Sequence, residues 1–364
     1  MLSRRIFLGL FLLASSVFSQ DTFEGVERIV AIGDVHGDYN RFAALLRTAE
    51  LIDVKNAWRG GASHLVILGD FLDRGPGSRR VMDLLIELEP QAQAAGGRVH
   101  ALLGNHEAMN VYGDLRYVSR EDFESYRTRD SGALREKAFK RALDEQRAKG
   151  GLPEDLAEFR DRFEAGNPLG YLEHRLAFLP NGKYGKWLRQ QNVMIRINDF
   201  LFVHGGISPK YASASRKEVN ERVREELMDA SKLSGGMATD ESGPLWYRGL
   251  AQLPENMPGV VAHIEQVLRT QQARHIVIGH TPTVAIMPRF GGRVIMVDVG
   301  VSSFYRGTPA FLLVEGPTCF NVYSKGRVPI PLDGGNVVEY LRAAQVQDPS
   351  NSRLRSLIKQ STGR

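Results

Sequence analysis

Five short apolar runs in this chain end in the same way. RIVAIGD (28–34), HLVILGD (64–70), ALLGNH (101–106), FLFVHGG (200–206) and HIVIGHT (275–281) each place a glycine and a carboxylate, amide or imidazole close after the last apolar residue. Short apolar runs bounded by glycine read as strands, and runs without polar alternation read as strands covered on both faces. The carboxyl ends of strands line one rim of an α/β sheet, where ligands bind. The punctuation therefore delivers Asp34, Asp70, Asn105, His204 and His280 to one edge. The adjoining glycines let the backbone turn sharply there and approach a ligand.

The segments between these runs fit that frame. Phe42, Leu45, Leu46 and Ala49 share one face at helical spacing, and a second helix is expected over about 79–95. This β-α-β-α-β order argues for an α/β core. After Tyr117 the composition turns to Arg, Glu, Asp, Lys and Ala, which predicts a helical insertion over about 118–192, solvated over much of its length, placed to cover the rim. Strands resume at 193–197, with Asn198-Asp199 as a tight turn before 200–206. A charged helical stretch covers 214–233. Further strands follow at VAIMP (284–288), RVIMVDVG (293–300) and AFLLVEG (310–316), with Gly291-Gly292 as a second hairpin turn. The domain is expected to occupy residues 20–345, and residues 346–364 read as a loose polar tail.

Bulk properties exclude several classes. With 43% hydrophobic and 24% charged residues, the 364-residue chain has a globular composition. The single cysteine, Cys319, excludes an intrachain disulfide and a CxxC zinc site. Arg4 and Arg5 precede a nine-residue apolar core, Ile6 to Ala14, and small residues follow. That pattern predicts a secretory signal over 1–19, cleaved before Gln20, and an exported protein in a periplasm, a secretory compartment or the extracellular space. The apolar core is too short to span a bilayer of about 30 Å, so no stable membrane span is expected after cleavage. Loss of Arg4 and Arg5 lowers the formal charge from +5 to +3. With no Lys/Arg run, nucleic acid is not an expected partner.

The polar groups at the rim are Asp34, His36, Asp70, Asn105, His204 and His280. Oxygen and nitrogen ligands without sulfur suit manganese, iron or zinc. Six groups exceed one four-coordinate site but match two metal ions sharing a carboxylate, roughly 3.5–4 Å apart, an arrangement that clamps phosphoryl oxygens. A zinc-protease reading of His106-Glu107 fails, because Asn110 stands where a second histidine is needed. An esterase reading of HGG fails too, because no Gly-x-Ser-x-Gly pentapeptide is present.

Taken together, GDVHGD (33–38), GDFLDRG (69–75), GNHE (104–107), HGG (204–206) and GHT (279–281) resemble the calcineurin-like metallophosphoesterases, in the phosphoprotein phosphatase branch. The resemblance spans about residues 28–315. The exported N-terminus, LLGNHE, PLWYRG (244–249) and the late GHT are most similar to the Shewanella-like phosphatases. It implies a four-layer α/β/β/α sandwich, two mixed β-sheets flanked by helices, with a dinuclear site at the strand C-terminal ends. Asp34 and His36 would hold one divalent ion, Asp70 would bridge, and Asn105, His204 and His280 would hold the other, with Mn²⁺ foremost and Fe or Zn²⁺ as alternatives. His106 would be the general acid and Asp73 its orienting partner. Arg74, Arg248 and Asn105 would bind the substrate phosphate, and Asp298 would back the ligands. The implied reaction is hydrolysis of phosphate monoesters by in-line attack of a metal-bridging hydroxide. The implied substrate is a phosphorylated protein or peptide (Tyr or Ser/Thr) or a small phosphate ester, with nucleotide or dinucleotide polyphosphates as the alternative. Two features depart from the eukaryotic Ser/Thr enzymes: Leu103 replaces an arginine before GNHE, and VDVGVSS (297–303) replaces their Ser-Ala-Pro-Asn-Tyr segment. His64, His100, His174, His263 and His275 match no motif and are expected to be structural, as are Lys183, Lys186, Trp187 and Cys319.

Overall fold

The computed structural model describes residues 20–151, 153 and 155–362; the expected export signal, residues 1–19, lies outside the described residues. Strands are numbered along the chain: β1 (Thr22–Phe23), β2 (Arg28–Ile32), β3 (His64–Ile67), β4 (Arg98–Ala101), β5 (Met194–Ile197), β6 (Phe200–Val203), β7 (His275–Ile278), β8 (Met287–Arg289), β9 (Val294–Met296), β10 (Ala310–Glu315), β11 (Thr318–Tyr323) and β12 (Gly326–Pro329). They form two six-stranded mixed sheets, ordered β12-β11-β10-β2-β3-β4 and β1-β5-β6-β7-β9-β8, flanked by helices.

Each sheet has a parallel centre whose strands stop level with one another. Ile32 pairs with Ile67 and Ile67 with Ala101 across β2, β3 and β4. Val203 pairs with Ile278 and Ile278 with Met296 across β6, β7 and β9. The residues that follow all six strands therefore emerge on common rims. The strands are rigid platforms because their apolar side chains are wholly buried: Ile29 to Ile32, Leu65 to Ile67, Leu201 to Val203 and Ile276 to Ile278 are all at 0% exposure. Each valine, leucine, isoleucine or phenylalanine among them contributes roughly 1.5–3 kcal/mol on burial. The two hairpin turns lie where expected, joining β5 to β6 at Asn198 and β8 to β9 at Gly291-Gly292.

The first helices match the spacing argument. Helix α1 (Tyr39–Thr48) is capped by the Asp38 side chain and buries Phe42, Leu45 and Leu46, while α2 (Ser78–Ala94) follows β3. Helix α3 (Asn105–Tyr112) begins at the GNHE segment. The segment expected as a helical insertion holds α4 (Arg120–Ser125), α5 (Ser131–Gly150), α6 (Leu156–Gly166), α7 (Tyr171–Phe178) and α8 (Lys183–Leu188). Helices α5 and α6 are largely solvated and meet through Phe139, Phe159 and Phe163. Helix α8 instead buries Trp187, whose Nε1 donates to Glu89. Helices α9 (Arg216–Met228), α10 (Gly249–Gln252) and α11 (Val260–Gln271) complete the second half.

The C-terminal residues depart from the sequence expectation. The polar tail expected over 346–364 begins inside helix α12 (Val337–Gln347) and continues as helix α13 (Ser352–Thr362). Asn351 accepts the Leu354 N–H at 2.9 Å and donates to the Val284 carbonyl at 2.9 Å. Leu354 is fully buried, with Leu357 and Ile358 packed beside it. A single i, i+3, i+4 stripe in a polar segment is enough to dock a helix when a receptive surface exists. Strands β11 and β12 were not expected either; β11 alternates inward Cys319, Asn321 and Tyr323 with outward residues too briefly to register.

Candidate metal centre

The residues after β2, β3, β4, β6 and β7 converge as the punctuation predicts. Three histidines each spend one ring nitrogen on a backbone carbonyl. His36 Nδ1 donates to Leu72 (3.1 Å), His204 Nδ1 to Leu68 (2.6 Å) and His280 Nε2 to Trp246 (3.1 Å). The tautomers follow: His36 Nε2, His204 Nε2 and His280 Nδ1 carry lone pairs. His204 Nε2 lies 3.2 Å from Asn105 Oδ1, 3.1 Å from His280 Nδ1 and 3.3 Å from Asp70 Oδ1. All four atoms are acceptors, so they cannot satisfy one another. On the other side of Asp70, His36 Nε2 faces Asp34 at 3.9 Å and Asp70 at 4.0 Å. Two ligand groups thus share the Asp70 carboxylate, and this donor set fits divalent cations.

Electrostatics lead to the same assignment. Asp34, Asp70, Glu107 and Asp298 are all buried, and none pairs with a lysine or arginine among the described residues. Burial, then the charges of Asp298 and Asp70, hold Asp34 well above the usual carboxylate range. Burial and Asp70 push Glu107 up to about 7, and burial pushes Asp298 up to about 6. For Asp70 burial acts upward as well, but His204 and His106 outweigh it and hold the carboxyl well below its usual value. Burial lowers His36 to about 3 and His280 to about 2, which keeps both imidazoles neutral and able to coordinate. A crowd of buried carboxylates without an organic cation calls for inorganic positive charge.

His106 clusters with His36 and Asp70 but is also engaged by a carboxylate outside that cluster. Its Nδ1 meets Asp73 Oδ2 at 2.6 Å, and its Nε2 lies 3.8 Å from Asp70 Oδ2. Asn110 Nδ2 donates to the other Asp73 oxygen (2.9 Å) and to the His106 carbonyl (2.9 Å). Burial acts to lower His106, but the carboxylates of Asp70 and Asp73 outweigh it and raise the imidazole above its ordinary value. Arg74 has a buried Nε with no hydrogen-bond partner among the described residues, and its guanidinium carbon lies 4.7 Å from the Tyr117 ring centroid, 5.1 Å from Phe304 and 5.6 Å from Tyr305. Arg248 is brought to the same rim but is partly committed: its Nη1 donates to the His280 carbonyl (2.6 Å) and Thr281 Oγ1 (3.1 Å). Asp298 accepts the Gly300 N–H at 2.9 Å through Oδ1, and its side chain faces Asp34.

The loops are held in unusual backbone conformations. His36, Asp70, Asp73, Arg74 and His280 have φ of 45°, 49°, 68°, 65° and 62°. Each such non-glycine residue costs about 1–3 kcal/mol and persists where its surroundings over-determine it. Gly69 and Gly104 allow the β3 and β4 loops to touch: a Cβ on Gly69 would meet Gly104 N at 2.5 Å, and one on Gly104 would meet Asp70 Oδ1 at 2.2 Å.

Sequence reasoning missed Glu107, which holds these loops together. Its Oε2 accepts the N–H groups of Asp70 (2.7 Å) and Gly104 (2.8 Å), and its Oε1 those of Phe71 (3.0 Å) and Leu72 (3.1 Å). The available signal was its position three residues after Gly104 at a helix start, where a carboxylate turns back onto the cap. Asn110, Tyr117, Phe304 and Tyr305 were missed as well. The motif-free histidines are structural: His64 and His100 pair at 3.1 Å beneath Phe23, and His174 stacks on Phe178. No helix among the described residues is long and apolar enough to cross a membrane.

A two-sheet fold with a shared-carboxylate metal site on its rim defines a metal-dependent phosphoesterase. Residues 27–296 match the calcineurin-like phosphoesterase family, and the chain belongs to it. It is 30% identical over 294 residues to Shewanella-like protein phosphatase 2 of Arabidopsis thaliana, spanning 78% of this chain and 73% of that one. It is 32% identical over 296 residues to an uncharacterized protein of Schizosaccharomyces pombe, spanning 79% and 77%. Among solved structures, a cold-active protein-tyrosine phosphatase of a psychrophilic Shewanella species superposes with a TM-score of 0.65 at 29% identity, covering 85% of this chain and 82% of that one. The protein is a hydrolase, a metal-dependent phosphatase.

Proposed function

We propose that the protein removes phosphate from phosphorylated proteins or peptides, using two divalent ions, Mn²⁺ foremost. Asp34 and His36 would hold one ion, Asn105, His204 and His280 the other, and Asp70 would be shared by both. When bound, such ions set positive charge against the phosphoryl oxygens and acidify a water molecule. The chain's own residues do the rest. Arg74, whose buried Nε has no hydrogen-bond partner among the described residues, takes the phosphate oxygens, and Arg248, whose Nη1 is held by the His280 carbonyl, supplies a second guanidinium to them. Asp73 takes the Nδ1 proton of His106 in a hydrogen bond and favours the imidazolium, whose Nε2 proton is the one delivered to the leaving oxygen. Asp298 lies behind Asp34 and orders the Gly300 turn.

The observation that carries this reading is the 2.6 Å contact between His106 Nδ1 and Asp73, which turns His106 Nε2 toward the rim beside the shared ligand Asp70. The test is His106→Asn in the metal-loaded protein. Loss of a general acid lowers kcat by about 10²–10⁴-fold while two equivalents of metal remain bound. Loss of an ion with the substitution would instead make His106 a ligand and overturn the division of roles.

A further inference from the structure

A cavity of about 660 Å³ opens where both sheets end, against the edge strand β4 of one and against Phe23 of β1 and Ile195 of β5 in the other. That size suits a small organic ligand. No metal-centre residue lines it among the described residues. Phe23, Val99 and Ile195 give it an apolar wall, and Arg98, Arg189 and Arg224 bring guanidinium groups from β4, the end of α8 and α9. Their contacts are with neutral groups. Arg98 lies over the Phe23 ring at 5.4 Å, Arg189 donates to the carbonyls of Leu227 (2.8 Å), Phe178 (2.9 Å) and Gly185 (2.9 Å), and Arg224 donates to Asn192 Oδ1. None of the three is paired with a carboxylate among the described residues. Glu89, the one carboxylate lining the cavity among the described residues, already accepts Trp187 Nε1 at 2.9 Å and Gln191 Nε2 at 3.4 Å. Burial lowers Arg224 and outweighs the charges of Glu221 and Asp21, while burial and then Arg175 lower Arg189. The wall therefore carries positive charge that its surroundings leave uncompensated.

The cavity is tied to the metal centre through Asn192. That side chain accepts from Arg224 and donates to the Gln20 carbonyl at 3.0 Å, and the Asn192 carbonyl accepts the Leu103 N–H at 2.9 Å. Leu103 stands two residues before Asn105, on the same exit from β4. An anion seated between Arg98 and Arg224 competes with Asn192 for the Arg224 guanidinium. Weakening that bond loosens Asn192, and with it the segment that sets Asn105 on the rim.

We propose that this cavity is a second ligand site, which takes a small organic anion with its apolar body against Phe23, Val99 and Ile195 and its negative group between Arg98 and Arg224, and that occupancy lowers turnover at the rim. The probe is naphthalenesulfonate, which is neither a phosphate ester nor a chelator. Calorimetry on the Mn²⁺-loaded protein should find one site per chain, unaffected by saturating inorganic phosphate and by Arg74→Ala. Arg98→Ala and Arg224→Ala should each weaken binding about 10- to 100-fold, and Arg98→Glu should abolish it. Naphthalenemethanol, the ring without the charge, and inorganic sulfate, the charge without the ring, should each bind this site more weakly. The probe should lower kcat for a phosphopeptide about 5-fold or more without raising KM, and Arg98→Ala should keep its basal activity while losing the inhibition. Displacement of the probe by phosphate, unchanged affinity in both arginine variants, or no binding at all would overturn the site. Binding with unchanged kcat would overturn its link to the rim. The calorimetric arm needs no turnover, so it succeeds or fails apart from the phosphatase reading.

Discussion

Glu107→Gln is the substitution whose cost the geometry fixes most closely. Wild-type Glu107 is fully buried and accepts four backbone N–H groups, two on each carboxylate oxygen. A glutamine is the same shape, but one oxygen becomes an amino group that can only donate. Whichever way the amide is turned, two N–H groups face a donor: Asp70 and Gly104 in one orientation, Phe71 and Leu72 in the other. A buried donor left unsatisfied costs about 1–3 kcal/mol, so the pair costs roughly 2–6 kcal/mol. The neutral amide recovers part of this, because burial has already pushed the carboxyl up to about 7 and the charge is expensive to keep there. The lower half of the range is therefore expected, still a large share of a total stability of about 5–15 kcal/mol. Urea unfolding at neutral pH should show a lowered midpoint with an unchanged slope. The Asp70 loop, whose left-handed residues Glu107 restrains, should also bind metal more weakly. A loss below about 1 kcal/mol, with metal affinity intact, would refute the argument that Glu107 clamps the two loops.

Four further outcomes are expected. Arg74→Ala should lower kcat/KM about 10- to 100-fold without changing metal stoichiometry, the worth of a lost hydrogen bond to a charged group. Arg248→Ala should lower metal affinity as well, because Arg248 also anchors the His280 carbonyl; metal titration of both variants separates the two. His174, enclosed by Phe123, Tyr126 and Phe178, is lowered by burial and then by Arg175 to about 3, against 6.5 when unfolded. The unfolded chain thus takes the proton first, so His174 costs nothing above about pH 6.5 and costs up to about 1.4 kcal/mol per unit as pH falls from there toward 3. The stability difference between His174→Phe and wild type should therefore grow in the variant's favour on acidification, and parallel pH profiles would contradict it. Finally, mass spectrometry of protein recovered from an expressing cell should find the chain starting at Gln20 in an exported fraction; a retained residue 1–19 segment would count against the signal.

The site was legible from sequence to the extent that its chemistry is local. Asp34, Asp70, Asn105, His204 and His280 each sit next to a strand end, and level parallel strands bring strand ends together. Glu107 was not legible as a clamp, because its role depends on the β3 and β4 loops touching through Gly69 and Gly104. The Phe71–Glu107 hydrogen bond that this contact permits joins residues 36 apart and leaves no mark in either motif. The rings around Arg74 escaped for the same reason, since Tyr117 and Phe304 meet only through Arg74. Helix α13 escaped because one buried leucine in a polar segment gives a weak pattern until its docking surface is known.

The most direct test of the central claim is to strip the purified protein with chelator, then titrate Mn²⁺ back while following bound metal and phosphate release from a phosphopeptide together. The shared Asp70 ligand predicts two ions per chain, activity rising with their occupancy, and loss of both binding and turnover in Asp70→Asn. Turnover that persists in chelator, or two bound ions with no phosphate released from any phosphopeptide, would contradict it.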